Sequence, residues 1–210
     1  VSEFGPAIER KYTSEERQVL YNATDAARAW NWAGVVPEDV FAEARNIVVS
    51  THADAFRQLL EAGGGTGIGT VSKALPELIG VHGQTVLHRP PTDICLGATL
   101  QLMDGPSLAD RVACPVAFDF RTADVAAGGQ GAPLAPAYHK ALLDRLGDEP
   151  AAVVNLGGVD NITASFSDGS VIAFDTGPAN GPIDEWVVGH DRGLRDEDGV
   201  FAERGMVHEG

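Results

Sequence analysis

The chain has 210 residues, with 30 acidic against 15 basic side chains and a formal net charge of −15. A surface this rich in carboxylates disfavours nucleic acid and anionic membrane as partners. No apolar run reaches the roughly 18 residues that span a bilayer, and no charged-then-apolar leader precedes the first helix, so we expect a cytoplasmic protein. The two cysteines, Cys95 and Cys114, are predicted to be small core residues rather than a disulfide.

Two helices are predicted in the first third of the chain. Thr13 and Glu16 form a capping-box pattern, which predicts a helix to about Tyr21. Apolar residues at helical spacing then predict a long amphipathic helix from Pro37 to Gly63. The glycines that follow, in 63–69, suggest either a phosphate cradle or a flexible loop, and the loop is favoured because no strand precedes them.

The middle of the chain alternates between apolar strands, polar loops and helices, which predicts an α/β protein. The predicted strands are Leu78–Val81, Thr99–Met103 and Pro115–Phe120. A short helix is predicted from Pro106 to Val112, and another over residues 134–146. Between the last strand and the last helix, Gly128 to Pro133 are predicted to form a tight polar loop.

From Pro150 onward the pattern changes to short strands, predicted over residues 152–156, 162–166 and 171–174. Ser167-Asp168-Gly169-Ser170 predicts a hairpin turn. Gly157-Gly158 permits either close approach to a ligand phosphate or a tight hairpin. A last helix is predicted from Pro182 to Val188.

Asp175 follows the apolar run 171–174, which predicts a buried strand, and Gly177-Pro178 is predicted to end that strand. Asp175 would then lie at the strand's carboxyl end, where ligands bind in open α/β sheets. One interpretation is a general base. The alternative is a turn residue that binds the amides of Thr176 and Gly177.

Polar clusters follow four predicted strands, and a parallel-rich sheet would bring them into one cleft. They are His82-Gly83-Gln84-Thr85, Asp119-Phe120-Arg121 with Asp124, Asn155 with Gly157-Gly158, and Asp175-Thr176-Gly177. The carboxylates suit a base or a hydroxyl acceptor, Arg121 suits a substrate carboxylate, and the amides suit sugar hydroxyls. A kinase needs such groups, because phosphoryl transfer depends mainly on positioning and charge neutralisation. A surface pair between Arg121 and Asp124 remains the alternative for those two residues.

These motifs occur in an order that resembles one family, the anhydro-N-acetylmuramic acid kinases. The matching segments are Val81–Thr85 with His88-Arg89-Pro90, Thr99–Leu102, Asp119–Arg121 with Asp124–Leu134, Asn155–Gly158 with Asn161–Thr163, and Phe174–Pro178. The resemblance implies an α/β, actin/hexokinase-like (ribonuclease-H-like) two-domain sugar kinase, here partial. Residues 1–150 would hold the bulk of the first domain, and residues 151–210 would begin the second.

The resemblance implies an enzyme of cell-wall recycling that uses ATP and Mg²⁺ to convert 1,6-anhydro-N-acetylmuramic acid into N-acetylmuramic acid 6-phosphate. Asp175 would be the base that activates water. The expected sugar contacts are His82, Gln84, Asp119, Arg121, Asp124 and Gln130, and the expected nucleotide contacts are Asn155, Gly157 and Gly158. The family's habit suggests a homodimer.

The family's early Gly-Thr-Ser-x-Asp-Gly phosphate loop and its later adenine-binding segment have no counterpart in the sequence, so we expect an incomplete kinase. Two other functions remain open on the residues alone. One is a non-catalytic sugar-binding fragment, and the other is a glycosidase that uses two of Asp119, Asp124 and Asp175 as an acid/base pair.

Overall fold

This computed structural model describes residues 5–62, 75–147 and 149–206. The chain forms two compact units, the first up to Ala132 and the second from Pro133 onward. The predicted domain boundary at residues 150/151 stays a prediction. The glycine-rich segment 63–69 lies outside the described residues. In the part of the chain that is described, no helix is long and apolar enough to cross a membrane.

In its described residues, the first unit combines helices with two small sheets. Its elements in order are α1 Ser14–Trp30, α2 Glu38–Ala62, β1 Ile79–Gly80, β2 Gln84–Arg89, β3 Ala98–Leu102, α3 Gly105–Val112, β4 Val116–Ala117 and α4 Phe120–Ala126. Strands β1 and β4 pair in parallel, and β2 pairs antiparallel with β3. The core is apolar and includes the fully buried side chains of Phe41, Leu102 and Leu108. The predicted helices and the β3 strand are confirmed.

Helix α1 begins at the predicted capping box. The Thr13 hydroxyl accepts a hydrogen bond from the Glu16 amide (3.2 Å), and the Thr13 amide donates to the Glu16 carboxylate (2.8 Å). The predicted end near Tyr21 is wrong, because the helix continues to Trp30. The buried face of this extension consists of Ala23 and Ala27, and alanines carry a weak hydrophobic signal in sequence.

The same Glu16 carboxylate is held by the Arg10 guanidinium, with Arg10 Nη2 2.6 Å from Glu16 Oε1. This hydrogen bond lowers the pKa of Glu16 from 4.5 to about 2, against the opposing effect of burial. Because the folded-state pKa is depressed, the ionised pair stabilises the fold above about pH 4.5, and the stabilisation is lost as the pH falls toward 2.

We expect Glu16→Gln to lower the free energy of unfolding at pH 7 by about 1 kcal/mol, since the pair is bidentate but close to solvent. The difference from the wild type should shrink below pH 4.5 and vanish near pH 2, in urea titrations across that range. Glu43→Gln, an exposed position on α2, is the control. A difference independent of pH would contradict the ion-pair account.

Two of the predicted polar strand ends are incorrect in their secondary structure. His82–Thr85 is not one loop, because Gln84 already begins β2. The strand predicted over Pro115–Phe120 contains only Val116–Ala117, and Phe120 begins α4. In both places a single residue in the left-handed region turns the chain, Gly83 with φ 74° and Asp119 with φ 57°. Such turns shorten a strand abruptly.

The second unit contains a three-stranded antiparallel sheet with flanking helices. Its elements are α5 Ala135–Leu143, β5 Ala151–Leu156, β6 Val159–Ser165, β7 Val171–Pro178, α6 Gly181–Gly189, a short 3₁₀ helix Glu197–Gly199 and α7 Val200–Glu203. The strand order is β5-β6-β7. The 167–170 turn, the α6 helix and the presence of three strands are confirmed, but β6 begins at Val159 rather than residue 162, and β7 extends beyond residue 174. Among the described strands only β1 and β4 are parallel, so the parallel-rich sheet that was expected is not observed.

The prediction that a buried strand ends just before Asp175 is wrong. The strand does not end before Asp175 but continues to Pro178, and Ile172 and Phe174 are 46% and 51% exposed rather than buried. In the described sheet β7 pairs only with β6, so a proline that lacks an amide proton is tolerated there. A register shift opposite the Asp160–Asn161 step absorbs one extra residue, and Gly177 remains paired.

The prediction that both cysteines are core residues is correct for Cys114 and wrong for Cys95. Cys114 is 4% exposed and belongs to the core, whereas Cys95 lies in a turn and is only partly buried. Neither cysteine forms a disulfide.

Candidate active site

Asp175 lies in a row of polar residues that crosses all three strands of the second unit. Asn155 of β5 is paired with Asn161 of β6, and Asn161 is paired with Asp175 of β7. Directly paired residues project from the same face of a sheet, with Cβ atoms about 5 Å apart. The Asp175 carboxylate is therefore next to the amide of Asn161, and the amide of Asn155 lies one strand further along the row. Such amides can both donate and accept hydrogen bonds.

The Asp175 side chain is exposed, and none of the described residues donates a hydrogen bond to it. The alternative in which Asp175 binds the amides of Thr176 and Gly177 is thus wrong. The neighbouring Thr176 hydroxyl instead donates to Asp160 Oδ2 at 2.7 Å. A carboxylate without a partner is free to accept a proton from a ligand or from water.

Asn161 was quoted in a motif but was not predicted as a site residue. The position of Asn161 relative to Asn155 in the sequence could have identified it. Asn155 and Asn161 lie at equal sequence distances on either side of Gly158, and the hairpin pairs are symmetric about that residue, with Leu156 opposite Asp160 and Asn155 opposite Asn161.

Gly157-Gly158 forms the β5–β6 hairpin turn, which confirms the hairpin alternative. The chain after β7 docks on this turn. Gly158 O accepts from the Ala179 and Gly181 amides (both 3.1 Å), and Gly157 O accepts from the Asn180 amide (2.9 Å). A Cβ atom on Gly181 would lie 2.8 Å from Gly158 O, so this approach requires glycine. These hydrogen bonds involve the carbonyl oxygens of Gly157 and Gly158 but not their amide groups.

In the first unit, Arg121 and Asp124 organise a loop rather than pairing with each other. Arg121 Nη1 donates to Gly131 O at 3.0 Å, and Asp124 Oδ2 accepts from the Gly131 amide at 2.6 Å. Arg121 Nε donates to His82 Nε2 at 2.8 Å. The surface-pair alternative is therefore wrong, and the His82 and Asp119–Asp124 clusters do meet, as predicted.

The loop needs its glycines because it packs closely on α4. Gly131 is buried with φ 69°, and a Cβ atom there would lie 2.5 Å from Val125 Cγ2. A Cβ atom on Gly129 would lie 2.3 Å from Asp124 Oδ2. Asp124 thus closes the loop back onto its own helix.

The hydrogen bonds of His82 fix the orientation of its ring. Its Nε2 accepts from Arg121 Nε, and its Nδ1 lies 2.9 Å from Gly83 O. Among the described residues, the side chains of two further predicted sugar contacts, Gln84 and Asp119, make only local hydrogen bonds. Gln84 Nε2 donates to Thr85 O at 3.3 Å, and Asp119 Oδ1 accepts from Thr122 at 2.6 Å.

The predicted site residues thus form two groups. His82, Gln84, Asp119, Arg121, Asp124 and Gln130 lie in the first unit, and Asn155, Gly157, Gly158 and Asp175 lie in the second. That both groups line one cleft stays a prediction. Over the described ranges, no three His, Cys, Asp or Glu side chains are grouped as metal ligands.

Comparison with known proteins finds one family. A family model described as anhydro-N-acetylmuramic acid kinase matches residues 40–210. Proteins named anhydro-N-acetylmuramic acid kinase from Caulobacter vibrioides, Brucella anthropi and Rhizobium rhizogenes are 47%, 44% and 43% identical over the whole chain. The chain spans about 55% of the length of each of these relatives.

The mixed α/β architecture and these matches assign the chain to the actin/hexokinase-like class of sugar kinases. Within that class, the chain belongs to the anhydro-N-acetylmuramic acid kinase family.

Proposed function

We propose that a full-length kinase carrying this chain uses ATP to open and phosphorylate 1,6-anhydro-N-acetylmuramic acid, forming N-acetylmuramic acid 6-phosphate for peptidoglycan recycling. The family match over residues 40–210 supports the activity. The observation that carries the mechanism is the exposed, unpartnered carboxylate of Asp175 in a row with two asparagines.

In the proposed reaction, Asp175 takes a proton from a water molecule as the water oxygen bonds to the anomeric carbon. The bond from that carbon to the bridging oxygen breaks, and the bridging oxygen bonds to the γ-phosphorus of ATP. The bond from the γ-phosphorus to the β–γ oxygen breaks, so ADP leaves. Asn161, the direct neighbour of Asp175 in the sheet, orients the water by a hydrogen bond.

On the sugar side, Arg121 binds the negatively charged lactyl group of the substrate. Its Nε and Nη1 are occupied by His82 and Gly131, which fixes the guanidinium plane and leaves Nη2 to face a carboxylate. Gln84, Asp119 and Gln130 are proposed hydroxyl partners. Asp124 contributes by holding the loop, and the Gly131 contact supports that role.

On the nucleotide side, Asn155, Gly157 and Gly158 are the proposed phosphate contacts, through amide groups that the hairpin contacts do not use. The described residues offer no cluster of metal ligands, so we assign no protein ligand to Mg²⁺. The ion would be held by phosphate oxygens and water, its usual environment in kinases. We also propose that the kinase is cytoplasmic and forms a homodimer.

The test is an assay of the full-length kinase with the anhydro-sugar, with and without ATP. We expect N-acetylmuramic acid 6-phosphate and one ADP per sugar, and no product without ATP. Release of free sugar without ATP would establish a glycosidase instead. Calorimetric binding of the sugar, with neither ATP binding nor turnover, would establish a sugar-binding protein.

A further inference from the structure

The residue that follows Asp175 is the extra residue of a β-bulge. Asn161 of β6 is paired with Asp175 and Asp160 is paired with Gly177, so Thr176 is the additional residue between those two pairs. A bulge bends its strand and re-aims the neighbouring side chains, and bulges are over-represented next to active sites. The bulge at Thr176 therefore lies where it can set the direction of the Asp175 carboxylate.

The bulge also decides on which face of the sheet Asp175 lies. If the pairing continued from Gly177 without an extra residue, Asp175 would lie opposite Ile162. Side chains alternate between the two faces of a strand, so the carboxylate would then lie on the face of Ile162, away from Asn161. With the bulge, Asp175 is opposite Asn161. The row of Asn155, Asn161 and Asp175 thus depends on the bulge.

One side-chain hydrogen bond holds the bulge. Thr176 Oγ1 donates to Asp160 Oδ2 at 2.7 Å, from β7 across to β6. A hydroxyl–carboxylate hydrogen bond of this length belongs to the stronger class of hydrogen bonds in proteins. Asp160 lies opposite Gly177, so its direct partner in the sheet has no side chain that competes for the carboxylate. The bond ties the extra residue to the neighbouring strand.

The surroundings of Asp160 leave it this one task among the described contacts. Its Oδ1 atom is buried and has no hydrogen-bond partner in the described part of the chain. Burial of a carboxylate oxygen is unfavourable, and the bond to Thr176 offsets part of that cost. Adjacent residues of a strand face opposite sides, so Asp160 does not join the row that contains Asn161. Asp160 therefore acts on Asp175 through Thr176 and the bulge.

We propose that Asp160 and Thr176 form a clamp that positions Asp175, the general base of the proposed reaction. The clamp fixes the bulge, the bulge keeps Asp175 opposite Asn161, and the carboxylate is thereby aimed at the attacking water. Both clamp residues are positioning residues, because they act through Asp175 rather than on the reacting atoms. The inference rests on the proposed function, since it takes Asp175 as the base, and it adds the residues that hold that base.

The first test removes and restores the Thr176 hydroxyl in the full-length kinase. Thr176→Val keeps the shape of the side chain and removes the donor. We expect kcat to fall about tenfold, the scale of one hydrogen bond to a carboxylate, with KM for the sugar within about twofold. Thr176→Ser should recover kcat to within about twofold of the wild type. Thr24→Val, which removes a hydroxyl bonded to the Leu20 carbonyl in α1, is the matched control and should leave kcat unchanged.

A second test asks whether the clamp acts through Asp175. Thr176→Val is introduced into the Asp175→Asn enzyme, in which the base is already lost. We expect a further fall in kcat of less than about twofold, because a base that is absent cannot be misplaced. A merely structural role of Thr176 would lower kcat by the same factor in both backgrounds, and that result would overturn the proposal.

A third test places Asp160 in the same clamp. Asp160→Ala should lower kcat as Thr176→Val does, and the double variant should be slower than either single variant by less than about twofold. Multiplied losses in the double variant would overturn the clamp. Asp160→Asn keeps an acceptor oxygen and should retain most of kcat. Full activity of Thr176→Val beside an inactive Asp175→Asn enzyme would overturn the clamp alone, whereas a wild-type enzyme that does not phosphorylate the sugar would overturn the proposed function as well.

Discussion

Replacing Asp175 by Asn is expected to lower kcat for phosphorylation of the anhydro-sugar by about 10³-fold, within the range attributed to a general base. Asparagine has the same shape as aspartate but cannot take the proton of the attacking water. Because the Asp175 carboxylate binds no described residue, its loss should not alter the fold. The measurement is steady-state kinetics with a thermal melt of the same preparation, and the melting temperature should stay within about 2 °C.

Asp168→Asn is the matched control for this variant. Asp168 lies in the turn before the same strand and accepts hydrogen bonds from the amide (2.9 Å) and the side chain of Ser170, within that turn. It should retain normal turnover. Near-normal turnover of Asp175→Asn, with the control also active, would remove Asp175 from the mechanism.

Replacing Asp124 by Ala is expected to raise KM for the sugar at least tenfold, with a smaller change in kcat. Asp124 holds the buried Gly131 amide, and Gly131 O in turn holds Arg121, so its removal frees the guanidinium that is aimed at the substrate. A buried amide left without its acceptor also costs about 1–3 kcal/mol of stability. The measurement is kcat and KM at several sugar concentrations.

Asp124→Asn separates positioning from charge. Its side-chain oxygen can still accept from Gly131, so we expect it to recover most of the KM. Asp110→Ala, an exposed position on α3, is the control. A rise in KM for Asp124→Asn as large as for Asp124→Ala would show that the carboxylate binds the sugar directly instead.

The sequence predicted the second unit well because its signals are local. Three apolar runs separated by a Gly-Gly and an Asp-Gly turn define a β-meander, and the strands lie where those signals place them. The extent of β7 could not be read in the same way. Gly177-Pro178 normally ends a strand, but pairing with β6 on one side only carries the strand through both residues.

Tertiary contacts account for what the sequence could not show in the site. The row of Asn155, Asn161 and Asp175 depends on a register that includes a bulge. Arg121 and Asp124 both hydrogen-bond to the backbone of Gly131, and these bonds depend on the close packing of a glycine loop against α4. Sequence spacing named the residues of that loop but could not show that Asp124 binds the Gly131 amide, and the sugar contact of Asp124 stays a prediction.

The attack of water on the anomeric carbon is tested most directly by running the reaction of the full-length kinase in ¹⁸O-labelled water. The product should be reduced at once, so that the oxygen on carbon 1 cannot exchange, and then fragmented in a mass spectrometer. We expect one ¹⁸O atom on carbon 1 and an unlabelled oxygen between carbon 6 and phosphorus. Label in the carbon–oxygen–phosphorus bridge, or none on carbon 1, would contradict it.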